Sequence, residues 1–148
     1  CRDWRLTTTK MSSPPSTPPS SKPAALQHLA QAQHNFRLYH ELKAKGTHLD
    51  WAVTVLFYTA LHLAEAYLAE IASSAFDLPR GHDERGAAIG KRLPQLYDDY
   101  RLLQIRSTWA RYHIDKPKPT PALVQKYETQ QFARIVEELR RLGISLNP

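Results

Sequence analysis

The chain has 148 residues, enough for one domain with a substantial core and too few for two domains of ordinary size. Its single cysteine excludes an internal disulfide framework and a cysteine-based zinc site, and its five glycines form neither a G-x-G-x-x-G loop nor a Walker-type phosphate loop. No apolar run reaches the roughly 18 residues of a membrane span. Composition and a formal net charge of +6 therefore predict a mildly basic protein of a reducing, cytoplasmic compartment.

Much of the positive charge lies in two stretches. Residues 1–23 contain four Lys and Arg and one Asp, and residues 80–118 contain nine Lys and Arg against five Asp and Glu. Such a local excess permits an anionic partner such as RNA, although a solvated helical face is the simpler explanation. Charge alone leaves both alternatives open.

Residues 1–23 are predicted to form a disordered tail in front of a folded domain over 24–148. The stretch 12–23 reads SSPPSTPPSSKP, which has too little apolar surface to offset the entropy of ordering. The first ten residues lack the apolar segment of a secretory signal. We expect Met11 to be the natural start and the residues before it to be an upstream extension.

After the tail, the apolar residues recur with helical spacing, and no strand-like alternation is present. A first helix is predicted over 24–45, ended by Gly46. A second is predicted from a cap at Thr47, with Asp50 completing a capping box, to about residue 72. The second helix is the most apolar segment, and we expect it to be the buried centre of the domain.

The second half of the chain is predicted to contain three further helices, because prolines and glycines divide its helical pattern. The predicted elements are a loop at 73–81, a short helix at 82–92, a longer helix from Pro94 to about His113, a proline-rich connection at 116–121 and a last helix at 121–142, closed by Gly143. Four longer helices and one short helix predict an all-α, up-and-down helical bundle.

A row of polar residues interrupts the apolar second helix. Tyr58, His62 and Glu65 are spaced by four and three residues, so they lie on one side of the helix. Buried polar groups need hydrogen-bonding partners. The row is therefore either a satisfied network within the core or the wall of a polar pocket.

The seven histidines do not predict a metal site. A di-metal helical bundle repeats Glu-x-x-His on two helices, whereas here the order is His62-x-x-Glu65 and it occurs once. Four other histidines, expected at the surface because their spacings of six, six and eight residues form no common helical face, are His28, His34, His40 and His48. We therefore expect no metal ligands and no cofactor.

An arginine and a histidine in the fourth helix form a candidate catalytic pair. Arg106 and His113 are seven residues apart, which brings them to nearly the same face, about 10 Å apart along the helix axis. The two side chains can converge on one phosphate, where His exchanges a proton and Arg holds the negative charge. A histidine at a helix C-terminus is also a favourable partner of the helix dipole.

The order of several motifs resembles one known family. The second helix reads DWAVTVLFYTALHLAEA, and it is followed by GHDER, LYDDYRLL and RSTWARY at residues 81–85, 96–103 and 106–112. This set resembles the HEPN domain (higher eukaryotes and prokaryotes nucleotide-binding), especially small stand-alone bacterial members, over about residues 24–142. The resemblance implies a helical bundle that usually dimerises.

Many HEPN proteins are metal-independent RNases, often the toxin of a toxin–antitoxin pair. Their signature is an Arg followed, after four to six residues, by a His, and here six residues separate Arg106 from His113. The resemblance thus implies a homodimer in which the His assists attack of the ribose 2′-OH on the phosphate that the Arg stabilises. Ser107 departs from the Asn, Asp or His common after that Arg. The residues expected to guide the RNA backbone are Arg111, Tyr112, Lys116 and Lys118.

Two alternatives stand beside the nuclease. The first is a non-catalytic HEPN module that binds a nucleotide or a partner protein, such as a nucleotidyltransferase. Its pocket is expected to be lined by Tyr58, His62, Glu65, His82 and Arg85. The second is a purely structural dimerising bundle, which leaves the polar row in the second helix unexplained.

Overall fold

In a computed structural model of the chain, the structure describes residues 22–147, which contain helices and no strand. The helices are α1 (Pro23–Lys45), α2 (Leu49–Ile71), α3 (His82–Arg92), α4 (Tyr97–Tyr112), α5 (Pro121–Tyr127) and α6 (Ala133–Arg141). The predicted all-α helical bundle is confirmed. The tail predicted over 1–23 lies outside the described residues, except that Lys22 precedes α1 and Pro23 begins it.

The centre of the bundle is α2. It contacts α1 along its length and also packs against α3, α4, α5 and α6. By length and composition α2 is apolar enough to cross a membrane, yet 78% of its most apolar stretch is buried inside the protein. A helix that is hydrophobic on all sides belongs to a core. The predicted central position of the second helix is confirmed, and the pattern is that of a soluble protein.

The two predicted glycine ends of helices are confirmed. Gly46 has φ +70° and donates its N–H to the carbonyl of Leu42, and Gly143 has φ +96°. Glycine reaches this left-handed conformation without a steric penalty, which is why it ends helices so often. The turn at Gly46 leads from α1 into α2, which packs against it.

Two predicted helix starts are wrong. The capping residue of α2 is His48, one residue after Thr47, and it makes no side-chain capping hydrogen bond. The carboxylate of Asp50 accepts instead from the N–H of its neighbour Trp51, at 2.9 Å. The fourth helix begins at Tyr97 rather than Pro94, because the chain first makes a turn that buries two leucines, Leu93 and Leu96.

The last predicted helix contains a π-helical segment, Glu128–Phe132, that joins α5 to α6 without a break. A π-helical turn inserts one extra residue and so rotates everything that follows it. Phe132 packs here on Phe36 of α1, with ring centroids 5.4 Å apart. The following apolar residues Ile135 and Leu139 are fully buried. The prediction of an amphipathic helix is confirmed, while its periodicity did not indicate the π segment.

We expect the substitution Leu63→Ala to lower the free energy of unfolding by roughly 2–5 kcal/mol, because it opens a cavity in the core. Leu63 lies in the middle of α2 and is 1% exposed. Leu26 in α1 is 48% exposed, so Leu26→Ala is a matched control with an expected cost below about 0.5 kcal/mol. Urea denaturation monitored by circular dichroism measures both. Equal effects of the two substitutions would contradict the burial of α2.

Candidate functional site

Two histidines, a glutamate and an arginine meet between α1, α2 and α3. Arg85 donates from Nε to Oε1 of Glu65 at 2.5 Å. The other carboxylate oxygen, Oε2, lies 3.3 Å from Nδ1 of His28 and 3.7 Å from Nδ1 of His62. The two imidazole Nδ1 atoms are 3.1 Å apart. We call these four residues the histidine–carboxylate cluster.

Helix geometry explains how the cluster forms. His62 and Glu65 are separated by three residues on α2 and therefore lie on the same side of that helix. His28 reaches them from α1, and its ring stacks on that of His62 with centroids 5.3 Å apart. Arg85 reaches the carboxylate from the first turn of α3. The cluster consequently ties three helices together at one point.

The environment keeps the His62 imidazole uncharged. Burial lowers the pKa of His62, and the charge on Glu65 opposes this effect by raising the pKa. The neighbouring His28 and Arg85 lower the pKa further. Because the ordinary pKa of histidine is about 6.5, His62 is neutral at pH 7 and one of its ring nitrogens carries a free lone pair.

A cavity of about 330 Å³ lies beside the cluster, between α2, α3 and α4. His82 connects the two features, because its Nδ1 is 3.3 Å from Nη1 of Arg85 and its side chain also lines the cavity. We call this cavity of about 330 Å³ the Arg111 cavity. Its lining residues are Phe57, Tyr58, His82, Gln104, Thr108, Arg111 and Tyr112.

Arg111 is fixed in position, but its charge is not neutralised. Its Nη1 donates to the hydroxyl oxygen of Tyr58 at 3.0 Å, and its Nε donates to the carbonyl of Ser107 at 3.2 Å. The guanidinium carbon lies 5.5 Å from the centre of the Tyr58 ring and 5.2 Å from that of Tyr112. Within residues 22–147 no carboxylate comes within ion-pair distance of Arg111.

Arg106 lies on a different side of α4, over the indole of Trp109. Its guanidinium carbon is 4.1 Å from the ring centre, and Lys116 Nζ is 5.0 Å from the same ring. The Nε of Arg106 is buried and has no hydrogen-bonding partner among the described residues. Arg106 and Trp109 line a small cavity of about 130 Å³ together with two prolines of the α4–α5 connection.

His113 does not share the Arg106 cavity. The fourth helix ends at Tyr112, and His113 follows it with a non-helical ψ of 85°. Its side chain is 46% exposed, 3.8 Å from the carboxylate of Asp115, and it lines a separate shallow cavity of about 240 Å³. Trp109 borders both cavities, so it stands between Arg106 and His113.

The predicted site residues thus fall into three neighbourhoods. The pocket residues Tyr58, His62, Glu65, His82 and Arg85 belong to the histidine–carboxylate cluster and the Arg111 cavity, as do Arg111 and Tyr112. The predicted catalytic residues Arg106 and His113 both lie near Trp109, as does Lys116. Lys118 lies elsewhere, beside the turn between α1 and α2.

One residue of the histidine–carboxylate cluster was missed by the sequence analysis. His28 was expected at the surface, whereas it is half-buried against His62 and Glu65. Its spacing from the other histidines of α1 carries no signal, because its partners lie on another helix.

Comparison of the chain with protein-family models, with curated proteins and with solved structures found no match.

We expect Arg85→Met to lower the free energy of unfolding by roughly 3 kcal/mol at neutral pH, because it leaves the buried Glu65 carboxylate without its cation. Adding Glu65→Leu should restore much of this loss, since the uncompensated charge is then gone. Arg92→Met is the control, because Arg92 is exposed at the end of the same helix. Urea denaturation of Arg85→Met, Glu65→Leu, the double variant and the control measures the coupling, and strictly additive effects of the first two substitutions would contradict it.

Proposed function

We propose that this protein is a HEPN-type helical module that binds a nucleotide in the Arg111 cavity. The observation that carries the proposal is the state of Arg111. Its guanidinium is anchored by Tyr58 and by the carbonyl of Ser107, yet no carboxylate of the described residues neutralises it. A positioned cation at the wall of a cavity is what a phosphate-bearing ligand requires.

The other walls of the cavity suit the rest of a nucleotide. The ring of Tyr112 is 71% exposed and offers an open face for stacking of a base. Gln104 and Thr108 supply polar side chains for hydrogen bonds to base or ribose, and His82 adds a second group near the phosphate. The volume of about 330 Å³ falls at the lower end of ligand pockets, which span about 300–1,000 Å³.

We expect ADP to bind the wild-type chain and Arg111→Gln to weaken binding at least tenfold, because the substitution removes the only charge-assisted phosphate contact on α4. Tenfold corresponds to about 1.4 kcal/mol. Isothermal titration calorimetry measures the affinities, with Arg37→Gln on the exposed face of α1 as the control.

Adenosine is the second titrant, because it offers the base and ribose without phosphate. The wild type should bind ADP more tightly than adenosine, and Arg111→Gln should bind the two alike. Equal affinities of the wild type for ADP and adenosine would refute the phosphate role of Arg111. Unchanged ADP affinity in Arg111→Gln would refute it as well.

A second candidate function is metal-independent RNA cleavage in a homodimer, with Arg106 and His113 as catalytic residues. It is favoured by the surroundings of Trp109, where Arg106 has an unpartnered buried Nε and Lys116 adds a second cation. In this reaction His113 takes the proton of the ribose 2′-OH, the oxygen attacks the adjacent phosphorus, and the 5′-oxygen leaves. The product ends in a 2′,3′-cyclic phosphate.

In the nuclease, Arg111, Tyr112, Lys116 and Lys118 guide the RNA backbone towards the catalytic pair. Both functions belong to a cytoplasmic protein, and they differ in their partners. The nuclease calls for an antitoxin that silences it, whereas the binding module suits a partner enzyme such as a nucleotidyltransferase. The two candidates can therefore be separated by their requirement for His113.

For the nuclease we expect cleavage of a mixed RNA pool in EDTA by the wild-type chain, and a loss of at least 100-fold in His113→Ala, because removal of a general base costs about 10²–10⁴ in rate. His34→Ala in α1 is the matched control, since His34 is exposed and lies outside the three neighbourhoods. Denaturing gel electrophoresis with detection of the cyclic phosphate is the measurement. Cleavage that survives in His113→Ala would contradict this function.

A further inference from the structure

We propose that the histidine–carboxylate cluster binds one zinc ion between α1 and α2, through Nδ1 of His28, Nδ1 of His62 and Oε2 of Glu65. This site does not depend on the nucleotide-binding function, since its three ligand atoms lie outside the Arg111 cavity. It also differs from the expectation based on the sequence, which found no metal ligands because it considered the residues of each helix separately.

The spacing of the three ligand atoms matches a tetrahedral site. The separations are 3.1 Å between the two Nδ1 atoms, and 3.3 and 3.7 Å from these atoms to Oε2. Ligands bound at about 2.0–2.2 Å to tetrahedral zinc are separated by roughly 3.3–3.5 Å. The point equidistant from all three atoms lies roughly 2.0 Å from each, so an ion slightly above their plane has zinc-like bond lengths.

A hydrogen bond accounts for the 3.1 Å separation of the two Nδ1 atoms but not for the approach of all three atoms to one point. A proton on one imidazole Nδ1 serves a single acceptor, and the 3.7 Å separation of His62 and Glu65 exceeds a normal hydrogen bond. An ion between the three atoms engages a lone pair from each of them. Two imidazoles and one carboxylate are a common donor set for zinc, with the fourth position left to water.

The surroundings support the ligands as they do in known metal sites. Arg85 holds Oε1 of Glu65 and thereby directs Oε2 towards the two imidazoles. The ligand side chains of His28, His62 and Glu65 are 30%, 23% and 10% exposed, so an ion and one water can reach the site from solvent. All three ligands stand on long helices, which makes the site a crosslink between α1 and α2.

Zinc binding to the full chain is the test, made in a Cys1→Ser background because a free thiol binds zinc by itself. Equilibrium dialysis of EDTA-treated protein should give one zinc per chain, and zinc should raise the melting temperature. Cobalt in place of zinc should give the strong visible absorption of a tetrahedral site. These three readouts are independent of nucleotide binding and of RNA cleavage.

His28→Ala removes one ligand from the half-exposed edge of the cluster, and we expect it to weaken zinc binding by about 100-fold or more. His28→Gln is a second variant that preserves polarity, in case the alanine lowers stability. His34→Ala on the same helix is the control and should bind zinc as the wild type does. Unchanged affinity in both His28 variants, a wild-type stoichiometry below one, or an octahedral cobalt spectrum would overturn the site.

Discussion

The burial of most of α2 is the constraint on which the rest of the structure depends. A helix largely covered by its neighbours leaves few of its polar groups to water, so these groups need partners within the protein. Thr54 and Thr59 donate to carbonyls of α2 itself, whereas the row of Tyr58, His62 and Glu65 is partnered by other helices. Glu65 is 8% exposed, and an unpaired carboxylate at such a position costs several kcal/mol. Arg85 from α3 and the imidazole of His28 from α1 meet this requirement, while Tyr58 accepts a hydrogen bond from Arg111 of α4. The polar row of α2 therefore positions three other helices.

The same row of polar residues contributes to two environments, one that favours a cation and one that favours an anion. Around His62 and Glu65, a neutral imidazole and a carboxylate oxygen present lone pairs, which attract a cation. In the Arg111 cavity the dominant charge is an unneutralised guanidinium, which attracts an anion. Arg85 and His82 lie between these two environments. Arg85 compensates the carboxylate of Glu65 on one side. His82, which contacts Arg85, lines the Arg111 cavity on the other side. A cation site and an anion site can thus lie close together without cancelling each other.

The helices were predictable because local periodicity and the glycine ends at Gly46 and Gly143 determine them. The π-helical segment was not predictable from the spacing of apolar residues; it contains Phe132, which packs on Phe36 of α1. On α2 the row of polar residues was predictable from intervals of four and three. The partner His28 was not, because only the packing of α1 on α2 brings it there.

The predicted pairing of Arg106 with His113 assumed that α4 continues through residue 113. The helix ends at Tyr112, and the side chains of Arg106 and His113 line two different cavities. Trp109 then stands between the two, with Arg106 over its ring and His113 in the cavity on its other border. For both groups to act on one phosphate, either this indole moves or a second copy supplies the missing partner. If a second copy supplies it, RNA cleavage by this pair would depend on dimerisation, whereas the proposed nucleotide site takes all its lining residues from a single chain.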